Sequence, residues 1–181
     1  MEGMPRALVG TALLVAVLAG LAGAVPAGQP AALDALALCR AAERLKGAAR
    51  QQSLEQGLAL AAAAVAADGR DAAAHFATFC TLGRLVQIRG LDPWRPFEAF
   101  RALDELEAAV RLAPDDPDVM AAKGATLLLL PRLLGGDPGE GRVWLRRALA
   151  RDPHHCAASA YLAASEPDAV GDDALRLPDG C

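Results

Sequence analysis

A chain of 181 residues has room for one domain with its own core and is too short for two ordinary ones. Apolar residues make up 54% of it but aromatics only 4%, so the apolar content is mostly alanine and leucine, which favours an all-α fold over a sheet. A net charge of −4, from 18 Lys and Arg against 22 Asp and Glu, supplies no basic field for a phosphate backbone, and no run of Lys or Arg follows a helix face, so nucleic acid is excluded as the expected partner.

Residues 1–27 differ in kind from the rest. Arg6 precedes an apolar run over 7–25 that ends in small residues, with Ala22-Gly23-Ala24 and Val25-Pro26-Ala27 as two cleavage frames. This is the pattern of a signal peptide. An uncleaved N-terminal anchor is the other reading, because the run approaches the roughly 20 apolar residues that span a bilayer. The expected location is periplasmic or extracellular, or membrane-anchored and facing outward, with membrane contact only through this segment if it is retained.

In chain order, Leu33, Leu36, Ala37, Cys39, Ala41 and Leu45 recur at helical spacing and predict a helix over 31–49; a second, nearly all Ala and Leu, follows over 53–67. "ADGRD" at 67–71 breaks the pattern, which resumes over 72–87. "RGLDPWRP" interrupts again, and Pro96 opens a helix to about 112. After "APDDPD" at 113–118 a helix runs to about 130, another spans 138–151 and a short one 154–164. The repeat domain is thus 28–165. The tail 166–181, with Pro167, Gly171, Pro178 and Gly180, is expected to be loosely ordered unless pinned.

The glycine-rich joint "LLGGDPGEG" at 133–141 lacks the Lys and Ser/Thr that follow a phosphate-binding loop, and Asp137 and Glu140 would repel an anion. As a joint its residues have clear uses. Gly135 or Gly136 takes the left-handed conformation, Asp137 caps the next helix, Pro138 suits its first position, and Glu140 reaches back to complete a capping box.

Three segments superpose: "GLALAAAAVAADG" from Gly57, "ALDELEAAVRLAP" from Ala102 and "GRVWLRRALARDP" from Gly141. Each starts with Gly or Ala, carries Ala seven residues on (Ala64, Ala109, Ala148) and meets a breaker twelve residues on (Gly69, Pro114, Pro153). Small residues at these points let one helix lie close to its neighbour, and the breaker lets the chain turn into the next hairpin. Successive segments start 45 and 39 residues apart, longer than a hairpin repeat of about 34 residues.

On these residues the chain resembles the tetratricopeptide repeat (TPR) family. The signature of the second helix of each hairpin appears as Ala102, Leu106 and Pro114 and as Gly141, Leu145 and Pro153; that of the first survives as Met120, Gly124 and Leu127. The first unit departs by carrying Gly69 in place of Pro. The long inter-helix loops are also similar to those of exported bacterial TPR proteins, such as the T component of tripartite (TRAP-type) transporters. The resemblance implies a solenoid of about three antiparallel hairpins plus a C-terminal capping helix, with a concave face built mainly from the first helices. It implies that a protein or peptide binds there, with His75, Phe79, Leu82, Met120 and Lys123 as groove residues. A small-ligand-binding accessory of a transporter is the alternative, with the aromatic loop Trp94, Arg95 and Phe97 closing over an apolar cavity; these residues equally suit a peptide anchor.

No catalysis and no cofactor are expected. His75 with Asp71 offers too few ligands for a metal, and adjacent His154, His155 and Cys156 diverge on a helix. Cys39, Cys80, Cys156 and Cys181 are an even number without a CxxC pair, which in an exported chain points to two structural disulfides of three possible connectivities, one of them a Cys156–Cys181 staple for the tail.

Overall fold

Each stretch with helical spacing folds as a helix, and local capping chemistry cuts the chain between them. The computed structural model describes residues 29–90 and 97–165. Among these the order is α1 (Gln29–Ala41), α2 (Gly47–Ala67), α3 (Ala72–Arg89), α4 (Phe97–Leu112), α5 (Pro117–Leu129), α6 (Pro138–Arg151) and α7 (Cys156–Ser165), with 3-10 turns at Ala42–Arg44 and Arg132–Leu134 and no strand. The all-α class expected from composition is what the chain adopts. The N-terminal segment 1–27 and the tail 166–181 lie outside the described residues. No described helix is long and apolar enough to cross a membrane.

Three helix starts have an aspartate that satisfies otherwise unpaired backbone donors. Asp71 accepts from the N–H groups of Ala73 and Ala74, and Asp116 from those of Asp118 and Val119, with Pro117 in the first turn of α5. Asp137 caps α6 by accepting from Glu140 N–H at 3.0 Å, with Pro138 following, as expected. The reciprocal half of that capping box does not form. Asp137 N–H is already bonded to Leu127 O at 3.0 Å, and the Glu140 carboxylate accepts instead from Trp144 Nε1 at 3.2 Å. Gly135 takes the left-handed conformation at φ +88°, closing the 3-10 turn rather than α5. Gly136 is needed for a different reason: a Cβ there would sit 1.8 Å from Leu130 O.

α3 runs two residues past the expected 87, and two other boundaries shift for a visible reason. The break between the first helices falls at Leu45 and Lys46, both extended, not at 50–52, because Gly47 at φ +54° lets α2 begin there. The last helix starts at Cys156, two residues late, because Asp152 holds the turn: its side chain accepts from His154 N–H and its carbonyl from His155 N–H.

The three superposed segments behave alike. Their first positions (Gly57, Ala102, Gly141) and those seven on (Ala64, Ala109, Ala148) are all buried, and so are the residues four on, Ala61, Leu106 and Leu145. In each case the helix ends two residues before the breaker, at Ala67, Leu112 and Arg151. α1, α2 and α3 pack mutually and α3 packs on α4; α5, α6 and α7 likewise pack mutually. α4 and α5 touch only lightly, as do α5 and α7, which are held together mainly through α6. Buried clusters follow the same division: Ala35, Leu36, Ala61 and Ala77 lie in the first group, and Met120, Ala121, Leu145, Ala148 and Ala158 in the second.

Backbones approach most closely where side chains vanish. A Cβ on Gly124 of α5 would lie 2.8 Å from Gly141 O and 2.7 Å from Leu145 Cγ, and one on Gly141 would lie 2.9 Å from Gly124 O. At Gly57 a Cβ would meet Thr81 Cγ2 at 2.9 Å and Ala35 O at 3.3 Å, so α2 is wedged against both neighbours at one point. The Cys39–Cys80 disulfide ties α1 to α3 across a sequence separation of 41. The other expected staple involves Cys181, outside the described residues.

Two stability predictions follow from opposite surroundings. Gly83, with nothing nearer to a new Cβ than Phe79 Cε2 at 4.0 Å, gains stability on Gly83→Ala by about 0.5–1 kcal/mol. Gly124→Ala loses about 1–3 kcal/mol, since overpacking against fixed backbone outweighs helix propensity. Paired thermal and denaturant melts read both signs. Replacing Cys39 and Cys80 together with Ala lowers the unfolding free energy by roughly 2–4 kcal/mol, measured by urea titration without reductant.

Candidate binding groove

Because α3 and α5 make no extensive contact with each other, a groove of about 890 Å3 opens between them, floored by Ala99 and Leu103 of α4. Helical spacing decides which side chains face it. On α3 the stripe Phe76, Phe79, Cys80, Gly83 and Gln87 lines the groove, while Ala74, Thr78, Thr81 and Leu85 on the other side are buried. Thr78 and Thr81 return their hydroxyls to Ala74 O and Ala77 O, so the buried face of α3 carries no unpaired hydroxyl. Phe76 and Phe79 stack at 6.2 Å between ring centroids and form an aromatic wall. On α5 the stripe Asp118, Ala122, Ala125 and Leu129 faces them, and Leu36 and Ala37 of α1 and Tyr161 of α7 complete the sides.

Charge is concentrated at one end. Arg40 of α1 donates to Asp118 Oδ2 of α5 at 2.8 Å, a bridge between residues 78 apart in sequence. His155, preceding α7, places Nε2 3.1 Å from Asp118 Oδ1 and accepts Ala158 N–H on Nδ1. One carboxylate thus links α1, α5 and the start of α7. Arg84 is paired with Glu43 beside them. Arg44 also lines the groove and has no carboxylate within salt-bridge distance among the described residues.

The residues expected in the groove scatter. Phe79 lines it. Leu82, 1% exposed, and Met120, 4% exposed, are core, because they lie on the buried stripes of their helices. His75 is turned toward α4, with Nδ1 2.6 Å from Glu105 Oε2 and Nε2 3.0 Å from Gly69 O, and Lys123 is paired with Glu107 of α4. Both therefore join hairpin elements instead of facing a ligand. Phe97 is 79% exposed and outside the groove lining, and Trp94 and Arg95 lie outside the described residues. Trp144 packs beside the α5–α7 cluster with the Arg147 guanidinium 5.3 Å over its ring.

Periodicity missed Arg40, Arg44, Asp118 and Tyr161. Asp118 reads in sequence as part of a helix start, and nothing local announces a partner 78 residues away. Among the described residues no group of three His, Cys, Asp or Glu could hold a metal ion. Asp71, which with His75 offers too few ligands for a metal, spends one oxygen on capping α3, while its other oxygen is buried without a partner among the described residues. No protein-family model and no curated protein matches the chain.

His75→Ala leaves Gly69 O without its donor and Glu105 with only Arg101 at 3.7 Å, and lowers stability by about 1–3 kcal/mol in denaturant titration. Asp118→Asn behaves differently. Its pair with Arg40 is exposed (46% and 64% of the side chains), so stability changes by less than about 1 kcal/mol and the difference shrinks further as salt rises.

Proposed function

We propose that the chain is an exported TPR-like scaffold that binds a protein or peptide in the α3–α5 groove and carries out no chemistry of its own. The observation that carries this reading is the groove's make-up: an aromatic and aliphatic wall, Phe76 and Phe79 opposite Ala122, Ala125 and Leu129, with Arg44, unpaired among the described residues, at one end. Apolar walls with a few fixed polar groups suit an extended or helical segment that presents alternating anchors. The superposed segments and their shared burial support the hairpin-repeat reading, and the Cys39–Cys80 disulfide is compatible with an oxidising compartment.

A second reading has one specific support. A volume of about 890 Å3 falls within the range of small-molecule pockets, roughly 300–1,000 Å3, so an apolar ligand carried for a transporter fits the same walls. A native mass spectrum of the protein from the exported fraction separates the two: an added small mass supports the carrier.

The scaffold is tested by selecting displayed random peptides on the full-length protein and measuring the affinity of one winner by fluorescence anisotropy. Ala122→Arg and Phe79→Ser each weaken binding at least tenfold, about 1.4 kcal/mol, whereas Leu133→Ser, exposed and outside the groove, does not change it. Equal affinity for all three variants would remove the groove as the binding surface.

A further inference from the structure

A second concavity, of about 390 Å3, opens between the α4–α5 turn and α6 and shares no lining residue with the groove. Asp115 of the turn, Met120 of α5 and Trp144, Arg147, Ala150 and Arg151 of α6 line it. We propose that this pocket is a site for a small organic monocarboxylate, whose charged end sits between Arg147 and Arg151 and whose apolar body rests on Met120 and Ala150. Nothing in this reading depends on what fills the α3–α5 groove.

Helical spacing brings the basic groups to one face. Trp144, Arg147 and Arg151 stand three and then four residues apart on α6, so their side chains follow one another along the helix. Trp144 donates its indole N–H to Glu140 at 3.2 Å, which holds the ring, and the Arg147 guanidinium lies 5.3 Å over it. Stacking uses the face of that guanidinium. Its N–H edge has no hydrogen-bond partner or carboxylate among the described residues. Arg151 pairs with Asp115 through one terminal nitrogen and keeps its other donors, and the pair is well exposed (55% and 69% of the side chains), so a competing anion can share Arg151 at little cost.

Charge and size select the class of ligand. Arg147, Arg151 and Asp115 together leave the pocket with a single net positive charge, so a monoanion neutralises it, whereas a dianion would be left facing Asp115. A carboxylate also matches the planar fork of a guanidinium, which can receive both of its oxygens. Beneath the charged rim the surface is apolar: Met120, 4% exposed, closes the floor with an adaptable thioether, and Ala150 leaves room beside it. The volume lies at the lower end of the range of small-molecule pockets, roughly 300–1,000 Å3, which suits a single ring or a short chain.

The test is a titration of the full-length protein with sodium benzoate at constant ionic strength, followed in proton–nitrogen correlation spectra, with benzylamine as a cation of similar size. Benzoate is expected to shift the Trp144 Nε1–H signal and the backbone amides of Arg147 and Arg151 to a saturating limit, and benzylamine to leave them in place. Arg147→Gln weakens benzoate binding about fivefold or more, and Asp115→Asn, which releases Arg151, tightens it about twofold or more. The opposed signs are decisive, because a variant that only loosened the fold would weaken binding at either position. Shifts that grow without saturating, equal shifts with benzylamine, unchanged affinity in Arg147→Gln, or affinity that fails to rise in Asp115→Asn each overturn the inference. Saturation confined to the Phe79 and Ala122 amides places the ligand in the groove and overturns it equally.

Discussion

The closest approach of two backbones sets the geometry from which the rest follows. Gly124 and Gly141 present bare backbone to each other, and a single methyl group on either would collide with the other's carbonyl oxygen. Helices that close have no room for long side chains between them, so their apolar contribution comes from alanine and from leucines such as Leu145 at the margins of the contact. An aromatic-poor composition is the consequence rather than an oddity. Small side chains lose little rotamer entropy on burial, which offsets the modest area that each removes from water. The same arrangement recurs at Gly57, where Thr81 and the Ala35 carbonyl crowd the position. Ala102, at the corresponding place in α4, is likewise buried.

Tight closure within each group of helices leaves the junction between them thin. The buried clusters lie in α1–α3 on one side and α5–α7 on the other, and α4 is joined to α5 by a short turn with the Lys123–Glu107 pair alongside. With α3 held to α1 by both packing and the Cys39–Cys80 bond, and α5 held to α6 by glycine contact, neither helix is drawn toward the other. The groove is what remains. Its width is bridged at one end by Asp118, whose two oxygens receive Arg40 and His155 from opposite sides. Exposed ion pairs of this kind contribute little to stability, but they fix register between elements that are otherwise weakly connected.

Much of the fold was legible because it is written in local chemistry. Capping aspartates, prolines in the first turn and breakers two residues past each helix end located most of the elements, and the shared small-residue spacing identified which faces would be buried. Where the reading slipped, a local preference lost to a competitor: Glu140 turned to Trp144 because Leu127 O already held the Asp137 N–H, and Gly47 moved a helix boundary by adopting positive φ. The groove was far less legible. Choosing Leu82 and Met120 placed the right helices but the wrong stripes, since on a helix with apolar residues all round the periodicity does not say which face meets solvent. His75 and Lys123 are polar residues whose partners on α4 lie 30 and 16 positions away, and no local pattern encodes such pairs.

Pre-paired charges also limit how the groove can recognise anything. Arg40 and Arg84 already face carboxylates, so a ligand that engages them must first replace Asp118 or Glu43 at comparable strength, with little net gain in water. Arg44 carries no such cost. Under the proposed binding role, discrimination therefore falls to shape along the Phe76–Phe79 wall and to one anionic group placed at the Arg44 end. An apolar stretch with an acidic residue a few positions away meets both demands, and the proposed protein or peptide partner can supply it as a matter of sequence spacing.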